Sequence, residues 1–205
     1  MNINLGGIIP LSANEWKDHV STIIFFNGCP FRCSYCHNHQ MIFAENYVEI
    51  NFVKDEIRKS LPFINSVCFS GGEPTMQPKQ LKELLKFSKF LGLKTMVETN
   101  GYYPSILIDL YEEKLVDHLF IDIKTTEKNY EKITGKKDAY KNLLYTLKIQ
   151  IPHTTRTTIF KNIQIPKCSQ ILQQGLLRLS PDKTLNEYTL EEFERLTNTR
   201  GNKYE

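Results

Sequence analysis

Three cysteines, Cys29, Cys33 and Cys36, fall in the stretch Asn27-Gly28-Cys29-Pro30-Phe31-Arg32-Cys33-Ser34-Tyr35-Cys36-His37-Asn38, spaced C-x3-C-x2-C. Cysteine thiolates are the usual ligands of iron–sulfur clusters, so three of them can hold three irons of a cubane. A [4Fe–4S] cluster has a fourth iron, which would stay open to bind a small molecule while the cluster passes an electron. Tyr35 stands immediately before the third cysteine. The loop also admits a structural zinc held by the three cysteines and His37, because Cys3His is a common zinc set. Such sites usually divide their ligands between two separated knuckles, whereas here all four share one loop. A disulfide fits less well. Five cysteines is an odd count, Cys68 and Cys168 stand apart, and no secretory signal is evident.

The other residues able to do chemistry follow predicted strands. Val20 to Phe26 is rich in β-branched and aromatic residues and reads as a buried parallel strand that ends at Asn27-Gly28, where the cysteine loop begins. Ser66 to Ser70 is a second strand, with Cys68 inside it as a small buried hydrophobe. It runs into Gly71-Gly72-Glu73-Pro74-Thr75. Two glycines let backbone approach a ligand closely and Glu73 adds a carboxylate, although the same residues taken alone describe an ordinary turn. Lys94 to Thr99 is a third strand ending in Asn100-Gly101, and strand alternation puts Glu98 and Asn100 on one face. A carboxylate there would bind a ribose hydroxyl or a cation, or would simply face solvent. Val116 to Ile123 is a fourth strand, with Asp122 and Lys124 sharing a face at its end. Buried charges need partners, so this pair either surrounds a charged cofactor or forms a structural salt bridge. Thr154 to Phe160 is a fifth strand with Arg156 and Thr158 on one face. Arg156 is a candidate for reaching a carboxylate or for an edge salt bridge.

These strands must be positioned by helices. Residues 51–60 have helical spacing with Phe52, Val53 and Ile57 on one face, Asn51 as the N-cap and Pro62 as the stop. Pro78 to Leu91 is the clearest helix, with Leu81, Leu84, Leu85 and either Phe87 or Ser88 inward, lysines outward and Gly92 ending it. Ser105 to Glu113 forms a short helix, residues 126–136 a brief one around Tyr130 and Ile133, and Asp138 to Gln150 one that buries Leu143, Leu144 and Leu147. Gly6-Gly7 and Ile8 to Leu11 open the chain as a strand or hairpin, and Trp16 and His19 take structural or exposed positions before the first clear strand. Ser169 to Leu179 begins a sixth strand and Leu190 to Leu196 a C-terminal helix. The class is α/β. Candidate chemistry after every strand is the geometry of a partial (β/α)6 barrel with a cofactor across its top.

The totals narrow the function classes. The chain has 205 residues, 40% hydrophobic and 24% charged, which suits a single soluble globular domain over 1–205. With 26 basic and 23 acidic side chains the net charge is +3, too balanced to mark a nucleic-acid binder. No apolar run approaches the roughly 20 residues of a membrane span. No targeting peptide, repeat or second cysteine cluster is evident, so the expectation is one cluster in a reducing, cytoplasmic protein.

Taken in order, C-x3-C-x2-C-H-N, S-G-G-E-P-T, V-E-T-N-G, D-I-K and R-T-T resemble the radical S-adenosylmethionine (SAM) superfamily, and within it the activating enzymes of glycyl-radical enzymes. The opening Gly-Gly-Ile-Ile-Pro-Leu-Ser and the run Asp122-Ile123-Lys124 to Thr134-Gly135 are most similar to the activating protein of anaerobic (class III) ribonucleoside-triphosphate reductase. The likeness covers roughly residues 5–160, with Leu172-Gln173-Gln174 a further match. It implies that Cys29, Cys33 and Cys36 hold one [4Fe–4S] cluster and that SAM binds at its open iron. Tyr35, Cys36 and His37 would lie against the adenine, and Gly71, Gly72 and Glu73 would hold the methionine amino group. Glu98, Asp122 and Lys124 would contact ribose, the methionine carboxylate or a nearby cation. The implied reaction cleaves SAM with one electron, supplied by flavodoxin or ferredoxin, and abstracts a hydrogen from a glycine of a partner enzyme. A radical SAM enzyme acting on a small molecule, such as a pterin-to-deazapurine ring contraction, is the competing implication. Only Lys161 to Cys168 stands where related chains carry a helix-sized segment, so one crossover near the C-terminus is expected to be shortened.

Overall fold

In the computed structural model, described over residues 1–33 and 35–157 and the strands Gly175–Leu179 and Lys183–Thr184, the apolar runs pair into one nine-stranded sheet. Its parallel part is β2 (Ser21–Phe26), β4 (Ser66–Gly71), β5 (Lys94–Thr99), β6 (His118–Asp122), β7 (His153–Thr157) and β8 (Gly175–Leu179), in that spatial order. Three antiparallel strands extend it. β1 (Asn2–Ser12) lies beside β2, β3 (Tyr47–Glu49) beside β1, and β9 (Lys183–Thr184) beside β8. The expected last strand is therefore parallel to its neighbour. Its expected start at Ser169, the shortened crossover Lys161 to Cys168, the match at Leu172-Gln173-Gln174, Thr158 to Phe160, Cys168 and the helix at Leu190 to Leu196 lie outside the described residues.

The helices cover one face of this sheet. α1 (Ile50–Ser60), α2 (Pro78–Phe90), α3 (Pro104–Glu112), α4 (Glu127–Thr134) and α5 (Ala139–Thr146) contribute Val53, Ile57, Leu81, Leu84, Leu85, Leu107, Tyr130 and Leu143 to the larger core. The opposite face curls around a smaller cluster of Ile23, Cys68, Met96 and Phe120, against which Trp16 and Phe25 pack. Cys68 is thus a buried apolar filler, as the sequence implied. Trp16 stacks on His19 at 4.0 Å and on His118 at 5.7 Å, which gives His19 a structural position.

Local details depart from the sequence reading for identifiable reasons. α1 begins at Ile50, not after an Asn51 cap, because the Ile50 N–H donates to the Met1 carbonyl at 3.0 Å. Its buried face is Ile50, Val53, Ile57 and Ser60, which turns Phe52 outward to 49% exposure. In α2 the inward residue is Ser88, whose hydroxyl donates to the Leu84 carbonyl at 2.9 Å. α5 stops at Thr146, and Leu144 is 39% exposed while its neighbour Leu143 is buried. β3 was not anticipated, since three residues carry too little periodicity to announce a strand and only pairing with β1 creates it.

The cysteine loop is clamped to the end of β4 by backbone. Gly72 N–H donates to the Phe26 carbonyl at 2.7 Å and Glu73 N–H to the Gly28 carbonyl at 2.8 Å. A Cβ on Gly72 would lie 2.2 Å from the Gly28 oxygen, and one on Gly71, whose φ is +118°, would lie 2.4 Å from Phe26 backbone. The two glycines are needed here because two backbones touch. Gly72→Ala is expected to lower unfolding free energy by about 3 kcal/mol or more, since neither backbone can yield without breaking the clamp. Urea unfolding followed by circular dichroism measures this, and an unchanged midpoint would mean the clamp is dispensable.

Candidate active site

A cavity of about 230 Å³ lies at the C-terminal ends of the parallel strands. That end is where open α/β sheets and barrels bind ligands. The loop after β2 brings Cys29, Cys33, Tyr35, Cys36 and His37 to its wall. The end of β4 brings Gly71 and Gly72, β5 brings Glu98, and the end of β6 brings Asp122 and Lys124. Residues separated by nearly a hundred positions thus line one cavity.

Glu73 is the exception. Its side chain is fully buried and does not line the cavity. The carboxylate accepts bonds from Thr75 N–H, the Thr75 hydroxyl, Thr99 Oγ1 at 2.8 Å and Asn100 N–H at 2.7 Å. The resemblance groups it with the residues that hold a ligand amino group; the structure places its side chain in the protein interior and not on the cavity lining. Glu73 ties the turn after β4 to the end of β5.

The loop is fastened at several further points. Gly28 N–H donates to the Met41 carbonyl at 2.7 Å and Arg32 N–H to the Thr134 carbonyl at 2.9 Å. The Arg32 guanidinium donates to the Cys29 and Phe31 carbonyls, and its far side covers the Phe43 ring at 4.2 Å. Tyr35 Oη donates to the Lys124 carbonyl at 3.1 Å, and Asn38 Nδ2 to the Gly71 carbonyl at 3.2 Å. Below the loop, Gln77 Nε2 donates to the carbonyls of Asn4 and Asn27, and Gln77 Oε1 accepts from Asn4 N–H. Asn4 and Gln77 carried no signal in the sequence, because their partners lie far away along the chain.

Charge on the opposite wall is paired. Arg156 holds both Glu98 oxygens, at 2.9 and 3.0 Å, and reaches Asp122 at 2.5 Å through Nε. Lys124 Nζ donates to the other Asp122 oxygen at 2.9 Å, and Ser70 Oγ donates to Glu98 at 2.6 Å. Arg156 is thus the hub that the sequence left between two readings: it binds two carboxylates of the protein itself. A carboxylate offers about four acceptor positions. Among the described residues Glu98 accepts three bonds and Asp122 two, and both line the cavity. Burial acts to raise the Asp122 carboxyl, but Arg156 and then Lys124 outweigh it and hold it well below the usual carboxylate range.

The thiols sit in the opposite environment. Burial, with help from the Glu73 charge, pushes Cys29 up to about 12, and burial raises Cys33 against the pull of Lys124. Such thiols are neutral until a metal displaces their protons, as soft metal ligands must. Three partly exposed thiols on one loop, lining a cavity with room for a small molecule, fit three corners of a cubane cluster.

Replacing the hub should show its electrostatic role. Arg156→Met leaves two largely buried carboxylates without their main cation and is expected to cost about 3 kcal/mol at pH 7. Because Asp122 is held low in the native chain, its contribution is complete above about pH 4 and is lost as pH falls below it. The gap between native and Arg156→Met stability should therefore narrow through the acid range. A gap constant down to pH 2 would refute the pairing as its source.

The Radical SAM superfamily profile matches residues 23–164. The chain is 30% identical over 133 residues to a Methanocaldococcus jannaschii protein named as a glycyl-radical enzyme activating enzyme, covering 64% of this chain and 54% of that one. It is 30% identical over 217 residues to the pyruvate formate-lyase-activating enzyme of Clostridium pasteurianum, covering 91% and 89%. It is 31% identical over 139 residues to the 7-carboxy-7-deazaguanine synthase of Methanocaldococcus jannaschii, covering 60% and 55%. The chain thus spans about half the length of the first and third of these relatives. Among solved structures, TYW1 with a lysine–pyruvate adduct bound shares the fold, with a TM-score of 0.61, 18% identity and coverage of 87% of this chain and 72% of that one. The parallel strands, the cysteine loop at their C-terminal ends and a profile match over most of the chain lead to one conclusion: this chain belongs to the Radical SAM superfamily.

Proposed function

We propose that this chain is an activating enzyme that cleaves SAM reductively and generates a glycyl radical on a partner enzyme. The observation that carries the reading is the single cavity in which three cysteine thiols face Gly71, Glu98, Asp122 and Lys124 across the strand ends. A [4Fe–4S] cluster on Cys29, Cys33 and Cys36 would supply the electron. Lys124 offers its ammonium to the methionine carboxylate, while Glu98 and Asp122 offer carboxylate oxygens to ribose hydroxyls or the methionine amino group. Gly71 and Gly72 keep that wall free of side chains, and Tyr35 and His37 flank the adenine. The names of two relatives support a protein substrate. The motif likeness favours anaerobic ribonucleoside-triphosphate reductase as that partner, flavodoxin or ferredoxin as donor, and the cytoplasm as the setting. No helix among the described residues is long and apolar enough to cross a membrane.

A second reading, SAM chemistry on a small molecule, draws on the likeness to 7-carboxy-7-deazaguanine synthase. The two are separated by one anaerobic experiment: reconstitute with iron and sulfide, reduce, add SAM, and assay 5′-deoxyadenosine with and without a candidate reductase. Cleavage with a glycyl-radical EPR signal on the reductase establishes the activase. Cleavage driven by a pterin without any protein partner establishes the alternative. Cys33→Ala is expected to keep the fold, lose the cluster and abolish 5′-deoxyadenosine formation. Full cleavage by that variant would remove Cys33 from the cluster.

A further inference from the structure

Asn100 occupies a position that neither the cavity's charges nor the cysteine motif explains. It follows β5, is 4% exposed, and lies beside the first cysteine of a loop 71 residues earlier. Its side-chain Nδ2 is 3.8 Å from Cys29 Sγ, within reach of a hydrogen bond to sulfur. Which end of an amide is nitrogen must be settled by its other partners. Here Asn100 Oδ1 accepts the Tyr102 N–H at 3.0 Å, a turn that turns Nδ2 toward the sulfur. The Asn100 backbone N–H in turn donates to the buried Glu73 carboxylate at 2.7 Å. The amide is therefore held at both ends.

Its environment makes the donor consequential. Glu73 is a buried carboxylate close enough to disfavour negative charge on Cys29. No other side-chain donor to Cys29 Sγ is present among the described residues. Hydrogen bonds to cluster sulfurs are one of the levers that set a reduction potential.

We infer that Asn100 is a potential-setting residue: its side-chain amide donates an N–H···S hydrogen bond to Cys29 and stabilises the negative charge added there by one-electron reduction. The inference rests on the cluster reading above. The electron comes from a low-potential one-electron donor, no bond is broken, and the added charge is shared by the cluster core and its thiolates. Glu73 acts through Asn100 as a positioning residue, which gives the acid of the G-G-E-P segment a purpose away from the cavity.

The test is an EPR-monitored redox titration, at pH 8.5 with dithionite and mediators, of reconstituted native protein, Asn100→Ala and Asn100→Asp. Asn100→Ala deletes the donor. Asn100→Asp keeps the acceptor for Tyr102 N–H and replaces the donor by an anion, so it remains informative if the alanine variant does not fold. Both are expected to be harder to reduce, the alanine variant by about tenfold in the reduction equilibrium, about 59 mV for one electron, and the aspartate variant by more. A merely structural role predicts the reverse order, because aspartate preserves the turn. Potentials equal to the native value, or a smaller shift for aspartate than for alanine, would overturn the inference while leaving the cluster in place. Native protein that assembles no cluster would overturn the parent reading and this one with it.

Discussion

The rest of the site depends on two backbones in contact. Where β4 ends, the Gly72 and Glu73 N–H groups bind the Phe26 and Gly28 carbonyls, which close β2 and start the cysteine loop. Backbone hydrogen bonds at this spacing leave no room for a Cβ, and the Gly28 oxygen would meet one on Gly72 at 2.2 Å. Only glycine permits it. Once the loop's first residues are docked, Cys29 is carried to the strand ends, and Arg32, Tyr35 and Asn38 fasten the remainder to Thr134, Lys124 and Gly71. The motif usually regarded as a ligand cradle is first a splice between two strand ends.

The second constraint is electrostatic. A cavity lined by carboxylates and cations is costly to desolvate unless each charge is paired. Arg156 resolves this by bridging Glu98 on β5 and Asp122 on β6, with Lys124 completing the chain of alternating charge. The bidentate contact to Glu98 fixes a geometry that a lysine could not reproduce. The wall opposite the thiols is thereby rigid before any ligand arrives. Binding then costs less ordering, which is how preorganised sites gain affinity.

Glu73 joins the two constraints. Its four accepted bonds lock the turn after β4 to Thr99 and Asn100 at the end of β5. A buried carboxyl group with four donors is a strong local organiser, because losing any of them would leave a buried acceptor position unsatisfied. Through Asn100 it reaches the cysteine loop, so the G-G-E-P segment meets that loop twice, by glycine backbone and by this acid.

The chain order by itself determined the strand-and-loop plan. Runs such as Val20 to Phe26 and Lys94 to Thr99 have β-branched periodicity that local physics converts into buried strands, and each chemical residue falls at or near the C-terminal end of such a run. Cysteine spacing is likewise a local property, and so the Cys29, Cys33 and Cys36 set was legible without coordinates. The tertiary structure alone decided which groups meet. Arg156 lies 58 residues from Glu98 and 34 from Asp122, and Asn100 lies 71 from Cys29, separations over which no local pattern specifies a contact. Burial also decided roles: the same residue type faces the cavity as Glu98 and is sealed away as Glu73. Phe52 and Leu144 were read as inward, and the short β3 went unread, for the same reason. Single-turn orientation and three-residue pairing are set by neighbours in space, which sequence distance does not encode.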